Sequence, residues 1–159
     1  MQGHFCAGTH HVTRSFAASR FNGRITRQVY SMQFAGEALV MATACEDGIV
    51  RVHDVESGAS LYDLTDESSG DDAWGASSCS CPKVTVARFS KGVTLLAVAF
   101  GDGKVQLHEG ETGEHVLTLT VEHEMPLSAL AWSADGHLLA VAHSDGIIRI
   151  WDVSSAVIS

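Results

Sequence analysis

His137–Val153 reads HLLAVAHSDGIIRIWDV. Two short apolar runs, LLAVA and IIRIW, are joined by Ser144, Asp145 and Gly146. In the second run Ile148, Ile150 and Asp152 alternate with Ile147, Arg149 and Trp151, and a period of two predicts a strand with two distinct faces. Asp-Gly between such runs predicts a tight hairpin, because glycine enters the positive-φ region that the turn requires.

The same frame fits twice upstream, over ALVMATACEDGIVRVHDV from Ala38 to Val55 and LLAVAFGDGKVQLHEG from Leu95 to Gly110. An aromatic residue stands thirteen places before each hairpin aspartate: Phe34 before Asp47, Phe89 before Asp102 and Trp132 before Asp145. The aspartates are 55 and 43 residues apart, and the difference falls in one visible insertion. A repeat of about 40 to 45 residues ending in Trp-Asp is the mark of propeller blades.

With these motifs the chain resembles the WD-repeat β-propeller family over roughly Thr26 to Ser159. Trp151-Asp152 is the intact dipeptide, and His53-Asp54 and His108-Glu109 are degenerate versions of it. The resemblance implies an all-β fold, a partial β-propeller of about three four-stranded antiparallel blades with the last blade incomplete. The expected blades are about 27–65, 82–120 and 124–159, with an acidic loop insertion at 66–81. Residues 1–25 are a poorly defined N-terminal segment, read as a strand of a preceding blade or a linker. Only Ser154 to Ser159 follow the last Trp-Asp, so the final strand is nearly missing, and a truncated fragment of a larger WD-repeat protein is one alternative reading.

Composition narrows the function. The 159 residues are 45% apolar, enough for a buried core, and carry a net charge of −9. Residues 1–36 hold four Arg and no acid, leaving six bases against 19 acids in the remainder. That balance disfavours nucleic acid, which needs a basic stripe, and favours basic segments of other proteins. No run of 18 apolar residues is present, so no membrane-spanning helix is expected. The cytoplasm is the expected compartment, with the nucleus as an alternative. The Arg-bearing, acid-free residues 1–36 leave organellar targeting as a minor reading. Cys6, Cys45, Cys79 and Cys81 form no disulfide framework, and Cys45 reads as a small core residue.

In this family the resemblance implies a buried network of a hairpin Asp, a His before the first strand, a Ser or Thr on the second and the Trp on the third. The matching positions are Asp145, His123 and Trp151 in the third blade, with Asp152 completing the dipeptide, and Asp47 and Thr43 in the first. The second blade keeps only Asp102. Val141 and Val98 replace the hydroxyl, and His53 and His108 replace the Trp, so blade stability is expected to lean on packing.

No enzyme is expected: His123 and Asp145 are already explained by repeat position, and no GxSxG elbow accompanies them. No GxxxxGK[ST] phosphate loop is present. His4, Cys6, His10 and His11 match no zinc spacing, nor does the Cys79–Cys81 pair, so neither a metal nor a cofactor is expected.

Asp63 to Asp72 holds five acids and no base, and runs through Trp74 into SSCSCP. Such composition predicts a mobile loop over Asp66 to Cys81. The expected function is a non-catalytic protein–protein interaction scaffold. Its partner-binding face is expected to carry Trp74 as aromatic anchor with Asp66, Glu67, Asp71, Asp72, Glu122 and Glu124 around it. Self-association through exposed blade edges is a further expectation. A ubiquitin-ligase substrate receptor is a weaker alternative, because Ser154 stands where that class carries a basic residue after Trp-Asp.

Overall fold

The computed structural model describes residues 28–35, 39–66, 84–120 and 125–157. They form three antiparallel sheets and, apart from short 3-10 turns, no helix. The first sheet has four strands, β1 (Val29–Phe34), β2 (Val40–Cys45), β3 (Val50–Asp54) and β4 (Ser60–Leu64). The second repeats it with β5 (Val84–Phe89), β6 (Leu95–Phe100), β7 (Val105–Glu109) and β8 (His115–Leu119). The third has β9 (Leu127–Trp132), β10 (Leu138–His143) and β11 (Ile148–Asp152) and no fourth strand among the described residues. Each sheet is laid down in sequence order, a meander that short turns can connect.

The three hairpins close in the same way. The N–H of Gly48 donates to Cys45 O at 3.1 Å, that of Gly103 to Phe100 O at 3.0 Å and that of Gly146 to His143 O at 3.1 Å. The glycines have φ of 78°, 94° and 79°, so each β-turn ends in one left-handed residue, the kind of three-residue connection that suits the twist of its strands. Register repeats as well: Ala42 faces Val52, Ala97 faces Leu107 and Ala140 faces Ile150.

Two apolar cores lie between the sheets. One joins Ala42, Ala44, Val50 and Val52 of the first blade to Ala87, Phe89, Leu96 and Val98 of the second. The other joins Ala97, Ala99, Val105 and Leu107 of the second to Leu127, Leu130, Leu139 and Val141 of the third. All six residues of β6 are buried because the second blade has a neighbour on each face. Small Ala on the inner strands lets the sheets approach, and Val, Leu and Phe fill the remaining space.

The third blade differs from the second in its coverage. In β10 buried and less buried positions alternate, and in β11 Ile148 and Ile150 are exposed. Polar bonds lock the cores: Arg88 Nη1 donates to Ser31 Oγ at 2.6 Å, the Phe89 N–H to Gln33 Oε1 at 2.8 Å, and Trp132 Nε1 to Arg88 O at 2.9 Å.

Candidate functional site

The conserved geometry of the repeats converges on the end of the sheets that carries the hairpins. Each hairpin aspartate uses one carboxylate oxygen to cap its own turn. Asp47 Oδ1 accepts from the Ile49 N–H at 3.2 Å, Asp102 Oδ1 from Lys104 at 3.0 Å and Asp145 Oδ1 from Ile147 at 2.8 Å. The other oxygen meets a cation: Arg51 Nη1 at 2.9 Å, Lys104 Nζ at 2.9 Å and Arg149 Nη2 at 3.1 Å, respectively. For Asp145 the turn N–H and the Arg149 guanidinium hold the carboxyl below its ordinary value.

Residues leading into the first strands lie against the hairpins. The Glu46 N–H donates to Gln28 O at 2.8 Å, and the Ser144 N–H to Pro126 O at 2.9 Å. The Met125 backbone packs so closely on Gly103 that a Cβ there would stand 2.2 Å from Met125 O. These contacts make one surface of hairpins and connecting loops.

Deeper in the first blade, Thr43 Oγ1 donates to Arg51 O at 3.3 Å and lies 3.1 Å from His53 Nε2. A hydroxyl whose proton is so engaged accepts from Nε2–H, which fixes the tautomer of a buried ring. Burial lowers the His53 pKa from its ordinary value, which favours the neutral ring. His53 thus fills the place of the Trp by donating to the Thr43 hydroxyl.

The second blade departs from the other two. Gln106 stands four residues after its hairpin Asp, where the others have Arg51 and Arg149. Gln106 Nε2 reaches back to the first blade and donates to Asp66 Oδ1 at 3.2 Å, while its Oε1 lies 3.3 Å from His108 Nε2. His108 Nδ1 is 3.1 Å from Gly113 O.

Asp66, expected at the start of a mobile loop and in the partner-binding set, is buried in the described structure. The physical reason is a neutral amide at 106, which leaves a donor to fix a carboxylate from the adjacent blade. Asp47 has both oxygens committed to its own blade. Glu67, Asp71, Asp72 and Trp74, together with Glu122, His123 and Glu124, lie outside the described residues.

Trp151 is half-buried against the second core, and Asp152 Oδ1 accepts from the Ser154 N–H at 3.0 Å and its Oγ at 2.6 Å. Asp54 does the same for Ser57, at 2.6 and 2.7 Å. The acid of the dipeptide is a turn cap, and a serine two or three places on is the sequence signal for it. The Arg partners were also missed, though Asp-x-x-x-Arg recurs in DGIVR and DGIIR. Among the described residues no group of three or more His, Cys, Asp and Glu is arranged to hold a metal ion. Cys45 is buried, and its thiol pKa is pushed up first by burial and then by Asp47.

The family model described as WD domain, G-beta repeat matches residues 113–152. WD repeat-containing protein 1 of Xenopus tropicalis is 39% identical over 74 residues, covering 45% of this chain and 12% of that protein. The guanine nucleotide-binding protein subunit beta of Schizosaccharomyces pombe is 29% identical over 112 residues, 70% of this chain and 32% of that protein. Among solved structures, the RRP9 WD40 repeats superpose with a TM-score of 0.69 at 21% identity, over 82% of this chain and 37% of that one. The chain thus spans a small part of the length of the relatives it matches.

Proposed function

We propose that this chain, a stretch of WD-repeat β-propeller, is a non-catalytic scaffold that binds other proteins through its hairpin face. Chains of this family generally work as protein-interaction scaffolds, although the fold alone assigns no partner. The observation that carries the reading is the fixing of Asp66. Buried and bonded to Gln106, Asp66 is a root at the end of the sheets where hairpins and connecting loops converge. From that root the sequence continues with Glu67, Asp71, Asp72 and Trp74, a set suited to a basic segment with an apolar contact. Glu122 and Glu124 precede the third blade and add to the same charge. The ordinary work of the hairpin carboxylates is structural, since each caps a turn and pairs with a cation.

We place the protein in the cytoplasm, where a buried thiol such as Cys45 stays reduced. Exposed apolar faces at both ends of the blade row favour self-association as a second mode of contact.

The test is binding of a fluorescent Lys/Arg-rich peptide by the whole chain, followed by anisotropy at low and high salt. Saturable binding that weakens with salt and falls about tenfold or more in a Glu67→Gln, Asp71→Asn, Asp72→Asn, Trp74→Ala variant is expected. Equal affinity of the variant and the parent chain would refute the assignment.

A further inference from the structure

Two buried histidines stand at the same repeat position, six residues after the hairpin Asp, and their surroundings call for opposite charge states. His53 in the first blade faces the Thr43 hydroxyl, which can accept as well as donate, so a neutral ring suits it. His108 in the second blade has Val98 where Thr43 stands, and that hydroxyl is lost. Its ring is 5% exposed and turns to two other groups.

Nδ1 of His108 lies 3.1 Å from Gly113 O, a carbonyl that can only accept. Nε2 lies 3.3 Å from Gln106 Oε1. The direction of the Gln106 amide is fixed at its other end, where Nε2 donates to Asp66 Oδ1 at 3.2 Å and a carboxylate has no proton to give in return. Oε1 is thereby turned toward His108 as an acceptor. Both ring nitrogens meet oxygens that call for a proton. A neutral ring supplies only one, and sets the lone pair of its other nitrogen against an oxygen lone pair in a buried place. An imidazolium supplies both.

We propose that His108 carries both protons in the folded protein, and that the row running from Asp66 through Gln106 and His108 to Gly113 is a proton-dependent latch between the first and second blades. The Asp66 carboxylate supports the ring charge across the polarised Gln106 amide, two hydrogen bonds away. Other described groups around the ring do not take its place. His115 of β8 stands edge-on with 5.5 Å between ring centroids, is exposed, and bonds to Thr118 Oγ1. Leu96 of β6, opposite His108, is apolar. From the first blade Tyr62 lies against Gly113, and its phenol, pushed up to about 12, is uncharged near neutral pH. Asp63 pairs with Arg51, and Glu109 and Glu114 are exposed at the turn, where Glu109 holds Thr112.

An imidazole that gains two acceptors and a linked carboxylate binds its proton more tightly when folded than in the unfolded chain, where its ordinary value is about 6.5. The stabilisation is therefore fully present below 6.5 and is lost as pH rises through the folded value, the reverse of the sign for His53. Long-range 1H–15N NMR of the ring nitrogens in the full chain from about pH 5 to about pH 9, with His108 assigned through its own backbone, tests the charge state. A doubly protonated ring at pH 6.5 with a midpoint above that value is expected, and Asp66→Asn should weaken proton binding about tenfold, one pH unit in the midpoint. A neutral His108 at pH 6.5, or the same midpoint in Asp66→Asn, overturns the proposal. Urea midpoints then read the latch: between about pH 6 and about pH 8.5 the parent should lose its stability advantage over Gln106→Leu, which keeps both histidines. Parallel pH profiles for parent and variant would overturn the latch, and if Gln106→Leu does not fold the titration of the parent chain still decides the charge state.

Discussion

Replacing Asp47 by Ala should destabilise the chain more than replacing Asp145, although the two occupy the same hairpin position. Asp47 caps the turn at Ile49 and pairs with Arg51, whose side chain is 13% exposed against 30% for Arg149. Removing a charged acceptor from a turn N–H costs about 1.5 kcal/mol. Stranding a buried cation costs about 3–5 kcal/mol. Arg51 pays only part of that second cost, because it is not fully enclosed and keeps Asp63 at 3.6 Å. The expected total is about 3 kcal/mol, which lowers the melting temperature by about 6–12 °C in a domain of this size. Arg149, more open to water, can be resolvated, so Asp145→Ala should cost clearly less. Asp47→Asn keeps the cap and loses the charge, and should fall between parent and Ala. Denaturant unfolding at one fixed protein concentration measures the series, with Asp47→Ala, Arg51→Ala and the double variant closing a cycle. A loss for Asp47→Ala no larger than for Asp145→Ala, or a coupling to Arg51 within about 0.5 kcal/mol of zero, would refute the reasoning.

Two further outcomes follow from the buried ring and from a close backbone contact. The folded His53 pKa lies below the ordinary 6.5, so the unfolded chain takes up the proton first. Its share of stability is present above 6.5 and is lost as pH falls through that value toward the folded pKa; denaturation midpoints at about pH 7.5 and about pH 5.5 should therefore converge for His53→Gln relative to the parent, and an identical pH slope would exclude the ring as the cause. At Gly110, a Cβ would stand 1.7 Å from Val93 O, a backbone atom that cannot rotate away. Gly110 also accepts from Tyr62 Oη at 2.6 Å, and burial, reinforced by Glu109, pushes that phenol up to about 12. Gly110→Ala should cost about 3 kcal/mol or more, read as a lowered melting temperature, and an unchanged melt would mean that the turns are not so closely apposed.

The blade order was legible because one local device, the Asp-Gly hairpin, marks every sheet, and because the aromatic thirteen residues before it closes a strand each time. The short last sheet was legible from the few residues after Trp151-Asp152. Burial was less so. LLAVA reads alike in the second and third blades, yet β6 is covered on both faces and β10 on one, since coverage depends on a neighbour and not on the strand. The burial of Asp66 was not legible for a related reason. Its neighbours in sequence are acids, Ser and Gly, but its bond is to Gln106, 40 residues away on the next sheet. Local composition carries no trace of such a partner, whereas Asp47 and Arg51 are four residues apart and could have been paired from the sequence.

The second blade is where these separate features meet. It is the only one of the three described sheets with a core on each face, so it transmits packing from one neighbour to the other. In stacked repeats stability is approximately the sum of each unit and its interfaces, which makes the middle unit the one whose loss removes both interfaces at once. It is also where the repeated cation gives way to Gln106. An Arg at 106 would compete for Asp102, whose second oxygen is already held by Lys104, and the amide instead spans to Asp66. One departure from the repeat therefore ties two blades together through Asp66.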